Sequence, residues 1–474
     1  MPQFHHRPSG RPVRLRRRGR SSLLALLALI GGLAVPAHPR AAGEDVGVLR
    51  PSSGVEMLAG ELAGKPMTLA EARKAIQAVL PDPTLDGKGI DVALIDTGVA
   101  PVKGLDGDNV IHGPDLSFEA SVKEAAYLDT YGHGTHMAGI IAGRRAGSEG
   151  IAPGARIVSI KTAGHDGITT VPQVVAAIDW VVDHRDADGM NIRIINLSLG
   201  QTGVAYHVGD LLSAAVERAW TAGIFVVVAA GNEGETQRHL DSPAIDPYIF
   251  AVGATDPTTG GVAPWSAYGD GRRDPDAVTV GRSLVSYRVP GSTVDNAAPG
   301  ARVGTDSFLG SGTSQAAAVT SGLAARILQG NPWMSPNQLK ATLLGNADDL
   351  PTPAYRDGHG AINGYRAVAN MDQSGGRQRY PRAAGRGSGI RAPYGSTWSG
   401  GTWSGATWSG ATWSGATWSG GTWSGATWSG ATWSGATWTG GTWSGATWSG
   451  ATWSGATWTG ATWSGATWTG GKWS

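Results

Sequence analysis

Three short stretches of this 474-residue chain hold residue types that can do chemistry together. Asp96-Thr97-Gly98 follows directly on the apolar run Val92–Ile95. An acid at the carboxyl end of a parallel strand stands where α/β sheets build their sites. Gly132-His133-Gly134-Thr135-His136 runs into the helical pattern from Met137 to Gly143. A histidine between glycines at a helix start has little side-chain crowding around it. His133 and His136 lie three apart, as zinc ligands can. The motif offers no third ligand such as a helical Glu, which argues against metal. Gly312-Thr313-Ser314-Gln315-Ala316-Ala317-Ala318 places a serine at the start of a small-residue helix. There the free backbone N–H groups and the positive dipole end can stabilise an oxyanion. Singly, Asp96 reads as a turn residue, His136 as a buried histidine and Ser314 as an N-cap. In the order acid, histidine, serine the three are far more specific.

The elements that must position them are legible as hydrophobic runs. Val92–Ile95, Ile157–Ile160, Ile192–Leu197, Ile224–Val228 and Ile249–Val252 are continuous rather than alternating, as strands buried on both faces are. Helical patterns fall between them, at Pro172–Arg185 and at Leu211–Ala222, which Gly223 stops. Thr68-Leu69-Ala70-Glu71 is a capping box that predicts a helix to about Leu80. Ser335-Pro336 is a cap followed by proline at the first helical position. This alternation predicts an α/β fold, a mostly parallel sheet with helices on both faces.

Composition marks the boundaries. Residues 1–37 hold seven of the 38 basic residues and no acid. The other 31 face 37 acidic residues, and a mildly acidic body predicts no nucleic-acid partner. The basic start, the apolar run Leu23–Val35 and the small residues Val35-Pro36-Ala37 predict a signal peptide over 1–37 and a secreted protein. Arg20-Ser21 stands where a twin-arginine signal has apolar residues, which favours the general secretory route. No later segment is long and apolar enough for a transmembrane anchor. Cysteine is absent, which excludes disulfides, a thiol nucleophile and thiolate metal sites. Residues 38–67 form a short pro- or N-terminal segment, 68–372 the main domain, 373–395 a basic linker and 396–474 a repeat tail.

Strand-Asp-Thr-Gly, Gly-His-Gly-Thr-His-Met-Ala-Gly and Gly-Thr-Ser-Gln-Ala-Ala together resemble the subtilisin-like serine proteases, the subtilases. Ile195–Gly200 resembles their substrate-pairing strand and Val228–Gly234 their oxyanion-hole segment. Ile249–Ala254 resembles the strand behind their specificity pocket and Gly358–Asn363 their closing turn. The resemblance spans about 68–370 and implies a serine endopeptidase acting on protein or peptide substrates. It makes Ser314 the nucleophile, His133 the base and Asp96 the group that orients it. It gives Asn232, with the Ser314 backbone N–H, to the oxyanion. Ala163-Gly164 and Ser198-Leu199-Gly200 become the edges that pair with an extended peptide. Ala229 and Gly231 suggest a roomy, uncharged pocket for the side chain before the cut. No cofactor is required for the chemistry, and structural calcium stays open and unassigned. The segment Arg144–Glu149 is shorter than the calcium loop of many subtilases. The 30 residues 38–67 are fewer than half of a usual subtilase propeptide domain.

The tail repeats Thr-Trp-Ser-Gly-Ala, with Trp at every fifth position from 398 to 473. Five is odd, so one continuous strand would set successive Trp on opposite faces. On a helix they would scatter all round. The period asks for a bend per repeat, and Ala-Thr-Trp-Ser-Gly resembles the pentapeptide-repeat β-solenoid pattern. Low-complexity disorder and an aromatic ladder for cell-wall or polysaccharide contact are the alternatives. The competing function is a cell-surface or polymer-binding protein whose main functional element is this tail.

Overall fold

The computed structural model describes residues 48–51, 65–78, 82–236, 238–371, 378, 380 and 383, and the backbone of short strands between 397 and 473. The expected signal segment 1–37 lies outside the described residues. The chain begins with β1 (Val48–Pro51), β2 (Met67–Thr68), α1 (Leu69–Ala75), β3 (Asp91–Asp96), β4 (Val110–Asp115), α2 (His133–Ala142) and β5 (Arg156–Lys161). It continues through β6 (Thr169–Thr170), α3 (Val171–His184), β7 (Ile192–Leu197), β8 (Leu199–Gly200), α4 (Leu211–Thr221), β9 (Phe225–Ala229), β10 (Phe250–Asp256) and β11 (Gly261–Val262). Then come β12 (Ala277–Val280), β13 (Leu284–Tyr287), α5 (Thr293–Ala297), β14 (Arg302–Val303), β15 (Ser307–Gly310), α6 (Thr313–Gly330), α7 (Pro336–Gly345), α8 (Ala354–Asp357) and α9 (Gly364–Ala369).

The continuous apolar runs become the middle of one sheet, ordered β11-β10-β9-β7-β3-β5-β4, with β12 also on β10. Every pairing in it is parallel except β10–β11. β3, β9 and β10 are buried along their whole length, which is why they carry no alternation. α3 packs on α4, and α2 packs on α6, which crosses β7, β9 and β10. Ala316, Ala317 and Ala318 are fully buried, so α6 lies close against the strands. β3 sits between β5 and β7, where the strand order reverses and the carboxyl ends of the strands open a crevice.

The capping box at Thr68 forms as expected, yet α1 ends at Ala75, short of Leu80. Ala78 N–H donates to Arg73 O, Gln77 adopts φ +52°, and Ile76 and Ala78 are buried. Burying those two side chains stops the helix early. The segment taken as a linker touches the domain. Ala383 N–H donates to Glu217 Oε1 at 2.8 Å and Tyr248 Oη donates to Tyr380 O at 2.7 Å.

In the tail, strands β16 (Thr397–Ser399) to β31 (Lys472–Trp473) fall into four parallel sheets. Within each sheet successive strands are 20 residues apart, as Trp398 pairs with Trp418 and Trp403 with Trp423. Four pentapeptides bring the backbone back to the same sheet.

Candidate active site

Asp96 ends β3, and the turn after it runs close beneath the start of α2. A Cβ on Gly134 would lie 2.2 Å from Gly98 O, so only glycine allows the approach. It brings His133 Nδ1 within 2.7 Å of Asp96 Oδ1, with both residues buried. The carboxylate can only accept, so Nδ1 carries the proton and Nε2 is the acceptor nitrogen. Nε2 has no hydrogen-bond partner among the described residues. Thr97 N–H also donates to Asp96 Oδ1, at 2.8 Å.

Asp129, which the motif reading passed over, ties this corner together. Its Oδ1 accepts from Thr97 Oγ1 at 2.8 Å and from Gly132 N–H at 2.6 Å. Its Oδ2 accepts from Thr135 N–H at 2.7 Å. Gly134 N–H donates to Thr97 Oγ1 at 2.9 Å. A carboxylate here answers the unpaired N–H groups of the helix start. The only trace in the sequence is an acid at capping distance ahead of Gly132. His136 is buried, and burial followed by the proximity of His133 pushes its imidazole down to about 3. It is a neutral packing residue.

Ser314 is the second residue of α6 and is fully buried. Its Oγ donates to Ser198 O at 3.3 Å, a long bond. Asn232 lies just beyond β9. Its Oδ1 accepts from Thr313 N–H at 2.9 Å and from Thr313 Oγ1 at 3.1 Å. That fixes the amide plane and leaves Nδ2 buried, with no partner among the described residues. Thr313 also bridges Gly231: its Oγ1 accepts from Gly231 N–H at 3.2 Å. Ser314, the Asn232 amide and Gly231, two residues beyond β9, thus meet around one threonine that sequence reading gave no role.

Ser198, Leu199 and Gly200 lie at the carboxyl end of β7 and in β8. β8 pairs antiparallel with β1, Pro51 opposite Leu199 and Arg50 opposite Gly200. β1 pairs on its other side with β6, Leu49 opposite Thr169. The chain's own N-terminal strand therefore lies between two edges. The second edge is Thr169–Thr170, a few residues beyond Ala163-Gly164. Ala163 N–H is engaged by Asp96 O at 3.4 Å. A cleft lined by Asp96, Thr97, Ala163, Thr169, Ser198 and Leu199 runs beside these edges.

The surroundings of Gly231 are acidic rather than roomy and uncharged. Asp241 and Glu233 carboxyl oxygens stand 3.4 Å and 2.5 Å from where a Gly231 Cβ would be. Burial, then the charge of Asp241, pushes the Glu233 carboxyl up to about 7, with His239 opposing. Asp241 arrives from the loop before β10, so the glycine motif carried no sign of it. In the short 144–149 segment, the carbonyls of Glu149 and Gly150 accept from the Arg73 guanidinium. A side-chain cation thus already engages carbonyls at the end of that loop. Among the described residues no group of three or more His, Asp or Glu is placed to hold a metal.

The profile of the Subtilase family matches residues 87–366, more than half of the chain. The chain belongs to the subtilase family. It is 35% identical over 320 residues to serine protease AprX of Bacillus subtilis (strain 168), covering 64% of this chain and 71% of that protein. Subtilisin BL of Lederbergia lenta is 31% identical over 291 residues, covering 60% and 92%. The crystal structure of fervidolysin from Fervidobacterium pennivorans, a keratinolytic enzyme related to subtilisin, aligns with TM-score 0.53 at 25% identity. That alignment covers 68% of this chain and 51% of that one. This subtilase has the subtilisin-like α/β fold and is a serine-type endopeptidase acting on protein substrates. No helix among its described residues is long and apolar enough to cross a membrane.

Proposed function

We propose that this subtilase hydrolyses peptide bonds through Ser314, His133 and Asp96, with Asn232 serving the oxyanion. The observation that carries the reading is the 2.7 Å bond from His133 Nδ1 to buried Asp96. It holds the imidazole with Nε2 free to take a proton. The Ser314 hydroxyl turns from Ser198 O toward Nε2, loses its proton there and attacks the scissile carbonyl. Asp96 stabilises the imidazolium that forms. The carbonyl oxygen becomes negative beside Asn232 Nδ2 and the N–H groups at the start of α6. Nε2 then returns the proton to the leaving amine, and water repeats the cycle on the acyl-enzyme. A fluorophosphonate, which reacts with activated serines, should label the full chain once, on the peptide containing Ser314. Labelling elsewhere, or none, would remove the assignment.

β1 supports the substrate geometry, because an extended strand already pairs with both edges. We take residues 38–67 as a short pro-segment that competes with substrate, following an export signal at 1–37. Leu49 is fully buried in that strand. Leu49→Asp, or a chain starting at Ser53, should raise kcat/KM on a small peptide by up to about 10-fold. An unchanged rate would show that the strand does not compete. N-terminal sequencing of protein recovered from the medium checks both points, since a start at or beyond Ser52 means that signal and strand are both removed.

The tail belongs to the same reading as an anchor. Its in-register backbone spaces Trp positions regularly, and repeated weak stacking contacts gain strength through effective concentration. A chain truncated after Gly385 keeps the contacts of Tyr380 and Ala383. It should retain full activity on a soluble peptide and lose retention on cell-wall or polysaccharide material. Identical partitioning of the two forms would end the anchor role.

A further inference from the structure

The turn that carries His133 ends a long connection, residues 116–132 between β4 and α2, that forms neither helix nor strand. Irregular chain of that length has no ladder of its own and must be held by its surroundings. A buried cation reaches into it from the sheet. Lys161 ends β5, opposite Asp96 in the register of β3 and opposite Asp115 at the end of β4. It is 1% exposed. Its Nζ donates to Glu119 Oε2 at 2.6 Å, to Leu128 O at 2.7 Å and to Ala125 O at 3.0 Å. An ammonium has three donors, and all of them go to residues of this connection.

One arm of the contact leads to His133. Leu128 directly precedes Asp129, whose oxygens hold Thr97, Gly132 and Thr135. A Cβ on Gly98 would lie 3.1 Å from Leu128 O, so the carbonyl that Lys161 takes also rests against the turn after Asp96. The other arm leads to the expected substrate edge. Glu119 Oε2 accepts a second bond, from Thr130 Oγ1 at 2.7 Å. Glu119 Oε1 accepts from the His165 backbone N–H at 2.8 Å and from His165 Nδ1 at 2.9 Å. His165 follows Ala163-Gly164, and Ala163 and Gly167 on either side of it line the cleft. Burial works to raise the Glu119 carboxyl, but the hydrogen bonds from Lys161, Thr130 and His165 bring it down to about 2. It is an anion at neutral pH. A buried ion pair is a poor source of stability, since apolar residues of similar volume often serve as well. What it supplies here is direction, because three acceptors fix one ammonium and the backbone that carries them.

We propose that Lys161 is a positioning residue for the reaction: through Leu128 and Asp129 it sets the turn of His133, and through Glu119 it sets the substrate edge at His165. The proposal deepens the reading above and rests on Ser314 as nucleophile and His133 as base.

The test uses the full chain. Lys161→Met combined with Glu119→Gln removes both charges, so no unpaired ion is left in the interior. Active enzyme is counted by fluorophosphonate labelling carried to its end point, and kcat is taken per labelled serine. Unfolded molecules then drop out of the comparison. The expected kcat per labelled serine is about 10- to 100-fold below wild type, the scale of a small misplacement of a reacting group. Glu119→Gln alone leaves Lys161 on Ala125 O and Leu128 O. It should raise KM several-fold and cost less in kcat than the double variant, a split that a merely structural role does not produce. A double variant with fewer labelled serines but wild-type kcat for each of them shows a role in folding only and overturns the proposal. Should the double variant yield no folded chain, Glu119→Gln decides, and an unchanged KM overturns the proposal. A wild-type chain that does not label at Ser314 overturns the reading beneath it, and the proposal falls with it.

Discussion

Ser314→Ala should lower kcat on a peptide substrate by on the order of 10⁶-fold and leave the fold intact; the magnitude is that of subtilisin, a worked case for this family. The loss is large because no other hydroxyl can take the place. The hydroxyl of Ser198, whose carbonyl accepts from Ser314, is itself held by Asn196 Nδ2 at 2.9 Å, and that of Thr313 is held at Asn232. The stability cost should be small. Ser314 Oγ makes one long bond, 3.3 Å to Ser198 O, and alanine is the best helix former. A Tm within a few degrees of wild type, with turnover gone, is the expected pair of results. Undiminished turnover in a clean Ser314→Ala preparation would sink the assignment.

What the sequence showed and what it hid follow from how each contact is made. Asp96, His133 and Ser314 stand at element boundaries, where the local pattern announces itself. Apolar runs end in an acid, glycines flank a histidine, and small residues follow a serine. The sheet was legible for the same reason, since strands buried on both faces cannot alternate. Asp129, Thr313 and Asp241 were hidden because their work is done across space. Asp129 looks like any surface acid until its oxygens are seen to hold Thr97, Gly132 and Thr135. Asp241 comes from the loop before β10 and lands against Gly200 and Gly231, so surroundings that read as neutral from their glycines hold a buried acid. The early end of α1 is a tertiary choice, made to bury Ile76 and Ala78. β1 has no motif, because pairing by backbone places little demand on side chains.

Asn232→Ala should cut kcat by roughly 10²–10³-fold with little change in KM, a range taken from the same donor type in subtilisin. The geometry explains why the loss should fall on kcat. Thr313 N–H and Oγ1 both donate to Asn232 Oδ1, at 2.9 and 3.1 Å, so the amide cannot rotate and Nδ2 stays turned to the site. Nδ2 is buried and unpartnered among the described residues, an unfavourable state of about 1–3 kcal/mol for a neutral donor. A ground-state carbonyl relieves it poorly, whereas an oxyanion at the right distance relieves it fully. The interaction thus strengthens on the way to the transition state, and removing it raises that barrier alone. Asn232→Asp offers a sharper contrast. It keeps an acceptor for Thr313 but faces the developing negative charge with another acceptor. It should therefore be slower than Asn232→Ala, although it is the closer match in shape. Steady-state kinetics on one peptide for all three enzymes decides the matter. A pure KM effect in Asn232→Ala would move Asn232 into substrate binding. An Asn232→Asp enzyme faster than Asn232→Ala would show that the amide mainly holds Thr313 in place, and that the oxyanion is met by the backbone at the start of α6.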